Sequence, residues 1–140
     1  MDVEGWTIIF NALRDSPISK ITTWDLSEEF LGPKIAKPLA EYLSVTGSVT
    51  KILVSMNNLG DEGAIVLCDA LRESKVTQVQ ELDLSNNDIG PDGAKAVAAM
   101  AAVVASMTRL DVMYNLGMGK EGKAALRGAI EGRSGFELLL

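Results

Sequence analysis

Side chains able to do chemistry are scarce in this chain, and the spacing of those present argues against an active site. There is no histidine and a single cysteine, Cys68. That removes a histidine-based triad, a histidine metal site, a Cys-His pair and any intrachain disulfide. Gly117-Met118-Gly119-Lys120 lacks the spacing of the phosphate loop G-x-x-x-x-G-K-[ST], and the helix that follows opens on Glu121. The adjacent carboxylates Asp61 and Glu62 open a helical stretch, where negative charge complements the helix dipole and caps the chain. Asp83 and Asp111 are expected to be solvated and shallow, so burial should not raise their pKa values. No catalytic, cofactor-binding or metal-ligating residue is assigned, and the chain reads as a non-enzyme.

The elements that position these side chains follow from an internal repeat. In ELDLSNNDIG, Leu82, Leu84, Asn87 and Ile89 stand at relative positions 0, +2, +5 and +7, with Val79 at −3. Ile52, Val54, Asn57 and Leu59, with Val49, repeat the pattern thirty residues earlier. Trp24, Leu26 and Leu31, with Ile21, repeat it again with Glu29 in place of Asn. Leu110, Val112 and Asn115, with Met107, form the fourth occurrence. Positions 0 and +2 alternate, so both point to one face of a short strand. An amide at +5 can satisfy backbone groups where the strand turns away, which gives Asn57, Asn87 and Asn115 a structural role.

A helical stretch follows each strand. In the second unit Ala64, Leu67, Ala70 and Leu71 recur at helical spacing. Residues 4–16 align without a gap to residues 62–74, so the chain opens on the helix half of a unit. It closes on FELLL, which reads as the start of a fifth strand. Units of 28 to 30 residues are too short to fold alone and bury their apolar faces by stacking. Strands joined by crossover helices stack in parallel, about 4.8 Å apart. The expected organisation is one domain over 1–140: a helical half-unit at 1–20, repeats at 21–48, 49–78, 79–106 and 107–134, and a terminal strand at 135–140. Trp24 is expected in the core. Trp6, with Ile9, Phe10 and Leu13, either covers the N-terminal end of the array or packs on an upstream repeat.

These residues resemble the leucine-rich-repeat family. The period and the N-x-[LI]-G-x-[ED]-G junction are similar to its ribonuclease-inhibitor-like subfamily, over nearly the whole chain. The resemblance implies an α/β solenoid, a short horseshoe arc with parallel strands on the concave face and helices on the convex face. It also implies protein recognition without catalysis. Four departures from the family pattern stand out: Glu29 for the turn Asn, Ile35 for the Gly that opens the helix, Pro38 inside the first full helix, which should shorten or kink it, and Leu116-Gly117-Met118-Gly119, which shifts the fourth junction by one residue.

If Ile52 and Val54 face inward, their neighbours line the concave face in columns. The first is Thr23, Lys51, Glu81, Arg109, where alternating charge favours cross-strand pairing. The second is Asp25, Leu53, Asp83, Asp111, which sets two like charges side by side. Lys51 and Arg109 could compensate them; a basic partner segment is the alternative. The third, Ser27, Ser55, Ser85, Met113, is small and leaves room for approach. With few large aromatics on this face, Arg109 and Tyr114 are the best anchors. The candidate contact patch is Asp83, Asp111, Arg109 and Tyr114, extended by Lys51, Glu81 and Asp25.

Thirteen basic and nineteen acidic residues give a net charge of −6, the wrong balance for binding nucleic acid. No apolar run reaches the twenty residues of a membrane span, and MDVEGW lacks the basic and apolar regions of a signal peptide. A cytoplasmic protein is expected, with a protein partner of unknown identity, a basic one on the charge argument, and weak self-association through the apolar ends. The alternatives are a cytoskeletal regulator of the tropomodulin type at actin pointed ends, a small-GTPase regulator, and a fragment of a longer repeat receptor.

Overall fold

A computed structural model describes residues 1–16 and 19–140. Helices and three-residue strands alternate along it: α1 Val3–Arg14, β1 Thr23–Asp25, α2 Ala36–Val45, β2 Lys51–Leu53, α3 Gly60–Glu73, β3 Glu81–Asp83, α4 Pro91–Val103, β4 Arg109–Asp111, α5 Gly119–Ala129 and β5 Glu137–Leu139. Single 3-10 turns, Pro33–Ile35 and Leu116–Met118, precede α2 and α5. The strands form one parallel sheet in chain order, β1-β2-β3-β4-β5. Each helix packs on the next in chain order.

The sheet register follows the repeat. Trp24, Ile52, Leu82, Leu110 and Leu138 are mutual partners across the five strands. Ile52, Leu82 and Leu110 are fully buried, and Leu26, Val54, Leu84 and Val112 make a second row beside them. Leu39, Leu43, Leu67, Leu71, Val97, Met100 and Leu126 close the core from the helix side. Burying one such side chain contributes roughly 1.5–3 kcal/mol, and each reaches that burial only against neighbouring units.

Polar bonds between units run through the asparagines. Asn57 Nδ2 donates to the carbonyls of Leu26 at 2.8 Å and Val54 at 3.1 Å, while its Oδ1 accepts from the Leu31 amide. Asn87 Nδ2 donates to the carbonyls of Val54 and Ser85, and its Oδ1 accepts from the amides of Asn57 and Leu59. Asn115 repeats the arrangement against Leu84, Val112, Asn87 and Ile89. All three amides are buried. Their bonds satisfy backbone groups in turns where Met56, Asn58, Asn86, Asp88 and Tyr114 take positive φ, a conformation disfavoured outside glycine.

Two further clamps join units. Asp61, in the first turn of α3, reaches across to the start of α4 and accepts from the amides of Gly90 at 2.7 Å and Gly93 at 2.8 Å. The carboxylate therefore caps the neighbouring helix as well as complementing its own. A Cβ on Gly93 would stand 2.5 Å from Asp61 Oδ1, so the contact requires glycine there. Arg133, beyond α5, gathers the carbonyls of Ala101, Val104, Ala105 and Met107 around the end of α4, and its guanidinium lies 4.9 Å from the centroid of the Phe136 ring.

The first unit departs from the template. A 3-10 turn occupies Pro33–Ile35, and α2 has ten residues against fourteen in α3. Pro38 stands third in α2, inside the first turn, where backbone N–H groups have no intrahelical acceptor. The proline thus marks a shortened helix. Trp24 is half-buried and sits in a cluster with Trp6, Phe10 and Tyr42, ring centroids 5.1–6.2 Å apart. Trp6 is used as a cover for this cluster. Glu137–Leu139 of FELLL form β5, in register with β4.

Asn87→Ala strips four hydrogen bonds from a buried turn. It is expected to cost about 3 kcal/mol or more of unfolding free energy, measured by urea denaturation. A loss below about 1 kcal/mol would show that the ladder is incidental. Arg133→Ala is expected to loosen the end of α4, seen as faster amide exchange at Val104 and Met107 with β2 unaffected.

Candidate partner-binding face of the sheet

Side chains flanking the buried row emerge on the face away from the helices, and parallel register stacks them into columns. The first runs Thr23, Lys51, Glu81, Arg109, Glu137. Lys51 Nζ lies 3.3 Å from Glu81 Oε2, Arg109 Nη1 3.2 Å from Glu81 Oε1, and Arg109 Nε 3.1 Å from Glu137 Oε2. Four charges on four strands thus form one ladder. All are partly solvated, so each pair contributes about 0–1 kcal/mol.

The second column runs Asp25, Leu53, Asp83, Asp111, Leu139. Asp83 and Asp111 are direct neighbours, while Leu53 separates both from Asp25. Lys51 and Arg109 form their ion pairs with Glu81 and Glu137 and not with the aspartates, on which their charge acts only through space. Each aspartate instead accepts from the backbone two residues on: Ser27 N to Asp25 at 3.0 Å, Ser85 N to Asp83 at 2.9 Å, and Met113 N to Asp111 at 3.0 Å. Ser85 Oγ also donates to Asp83 at 2.7 Å. These bonds fix the carboxylates where each strand ends. They hold the Asp25 carboxyl below its usual value, with a smaller contribution from Lys51.

Asp111 corrects the expectation of a shallow, solvated carboxylate. It is only 7% exposed. Burial pushes its pKa up, and the nearby charge of Asp83 adds to the rise against the opposing Met113 amide and Arg109. Leu139 of β5 stands beside it in the column, so the fifth strand supplies part of its cover.

Tyr114 lies just past β4 with φ +60° and is 65% exposed. It does not join the columns. With Met113, Leu116, Lys120, Lys123 and Leu140 it borders a cavity of about 540 Å³ at the strand end. Glu137, Ser85 and Leu139 were missing from the sequence-derived patch; carrying the 28-residue period on from Arg109 reaches Glu137. The other reactive side chain, Cys68, is buried, and its thiol is pushed up by burial and by Asp69. Among the described residues no cluster of ligating side chains could hold a metal ion, and no helix is long and apolar enough to cross a membrane.

The leucine rich repeat family model matches residues 48–68 and 77–98. Ribonuclease inhibitors from Mus musculus and Sus scrofa are 33% and 36% identical to this chain over 87% and 64% of its length. The chain is a leucine-rich-repeat protein of the ribonuclease-inhibitor-like type. This leucine-rich-repeat chain spans 26% and 19% of those two relatives. RAN GTPase-activating protein 2 of Arabidopsis thaliana is 38% identical over 58 residues, 41% of this chain and 10% of its own. The fold is shared with the tropomodulin C-terminal domain of Caenorhabditis elegans at TM-score 0.80 and 14% identity, covering 100% of this chain and 83% of that one. It is shared too with a structure titled leiomodin-1 actin-binding site 2 at TM-score 0.76 and 16% identity, covering 97% and 76%.

Folded Asp111 holds its proton more tightly than in the unfolded chain. Its contribution therefore favours the fold below the ordinary carboxylate range and is lost as pH rises through the raised value. Asp111→Asn keeps an acceptor for the Met113 amide and removes the charge. The variant is expected to be more stable than the parent at pH 7. In urea denaturation the gap should close as the pH falls toward about 3; a variant less stable at pH 7 would contradict this account.

Proposed function

We propose that this chain is a non-catalytic scaffold that takes a protein partner on the strand face, centred on Asp83, Asp111, Arg109 and Tyr114, with Lys51, Glu81 and Asp25 at its margins. The observation that carries the reading is the Asp83–Asp111 pair. Two like charges stand on adjacent strands, one of them buried, and neither has a salt bridge among the described residues. That arrangement costs the free fold stability and is relieved by a cation arriving from outside. A basic segment of a partner fits it, with Arg109 and exposed Tyr114 as the larger contact groups. The ribonuclease-inhibitor-like relatives support protein recognition, and a cytoplasmic setting accords with them.

A second reading is a cytoskeletal role, favoured by the likeness over the whole chain to the tropomodulin and leiomodin structures. Regulation of a small GTPase is the third, supported by the shorter match to the RAN GTPase-activating protein. Co-sedimentation with actin filaments and a GTP-turnover assay separate these from a general scaffold. The outer edge of β5 also favours weak self-association, expected as a concentration-dependent mass in light scattering.

The test of the main reading is capture from a lysate of the source cell, then titration of the partner so identified against a variant with alanine at Asp83, Asp111, Arg109 and Tyr114. Affinity is expected to fall at least about tenfold and to weaken with salt. Unchanged affinity discards the patch.

A further inference from the structure

The helix side carries a second surface. Between α2 and α3 runs a groove of about 780 Å³, larger than the cavity beside Tyr114. Its floor is small: Ala40 and Ser44 from α2, Ala70 from α3, and Ser74 beyond it. Both serine hydroxyls are spent on backbone, Ser44 Oγ donating to the Glu41 carbonyl and Ser74 Oγ to the Ser44 carbonyl. The floor therefore asks for no polar ligand. Val45, Val66 and Val76 stand around it and are 56%, 37% and 45% exposed. A solvent-facing valine is a poor choice in a helix, where Lys, Glu or Ala forms helix better. Two of these three sit in α2 and α3.

The charges around the groove set what can cover it. Glu41 is bonded by Arg14 at 2.9 Å, and Asp69 and Glu73 both lie against Arg72, at 3.7 and 3.5 Å. Lys37 and Lys75 have no carboxylate within 4.0 Å among the described residues, and both are exposed. Lys37 stands near the start of α2 and Lys75 just past the end of α3. In a chain of net charge −6, the groove ends on two unanswered cations. From Lys37 to Val45 it follows α2 for about 12 Å at 1.5 Å per residue.

We propose that this groove docks a short amphipathic helix of an acidic partner: an apolar strip of about two turns laid over Ala40 and Ala70, with a carboxylate at each end meeting Lys37 and Lys75. This is the helix-in-groove mode of recognition, on the face opposite the sheet and independent of the strand-face reading.

The probe is a synthetic helical peptide with Leu at i, i+3, i+4 and i+7 and Glu flanking both ends, compared with a twin flanked by Lys. Titration into the isotope-labelled chain, followed by amide correlation spectra, is expected to shift Val45, Val66, Ala70 and Val76. The Glu peptide should bind about tenfold more tightly than the twin, and K37E/K75E should reverse the preference. Both substitutions are solvent-exposed, so an unchanged unfolding transition certifies the variant. Equal affinity for the twins, shifts centred on Leu53 or Asp83, or no shift at millimolar peptide would each overturn the proposal. The four-alanine strand-face variant should bind the Glu peptide as the parent does, which keeps the fates of the two surfaces distinguishable.

Discussion

The buried asparagine amide at each turn is the bond on which the rest of the molecule depends. Its Nδ2 donates to a carbonyl of the preceding strand, and its Oδ1 accepts from amides of the preceding turn. No single unit contains both ends of these bonds. An isolated repeat would keep only the bonds from Nδ2 to its own turn, as from Asn87 to Ser85, and would leave Oδ1 without its partner amides, at a cost of about 1–3 kcal/mol. The aliphatic row of Ile52, Leu82 and Leu110 drives stacking, and a one-residue slip would turn it to solvent. The amides add a directional lock on the same register, which brings Lys51, Glu81, Arg109 and Glu137 into one ladder.

That register turns a sequence pattern into a surface. Three-residue strands carry little hydrogen bonding of their own, yet each places its outer side chains within reach of the next. Glu81 pairs with cations on both neighbours, so Lys51 and Arg109 bond carboxylates of their own column and reach Asp25 and Asp111 only through space. Backbone amides hold those aspartates instead. The outcome is a face whose basic groups pair with Glu81 and Glu137 while Asp83 and Asp111 rest on Ser85 and Met113, and the proposed basic partner would meet that pair.

The strand columns were legible in the sequence because alternation and a 28-to-30-residue period suffice to compute them; the order Thr23, Lys51, Glu81, Arg109 needed no coordinates. The burial of Asp111 was not legible, since it depends on Leu139 of a strand that matches the template only through FELLL. Asp61 and Arg133 escaped for a different reason. Each acts on a neighbouring unit through a reach of 29 to 32 residues in one case and 26 to 32 in the other, and neither contact recurs in the other units among the described residues, so no repeat pattern announces it. The groove between α2 and α3 escaped because its walls come from two different helices, and a valine that looks like a lapse in one helix acquires meaning only beside the other.

Asp61 and Arg133 fasten successive joints at opposite ends of the helices. Asp61 ties the N-terminal end of α4 to α3, and Arg133 ties the C-terminal end of α4 to the segment beyond α5. Both termini of α4 are thus closed by side chains borrowed from its neighbours, so loss of either flanking unit would leave one end of that helix with bare backbone groups.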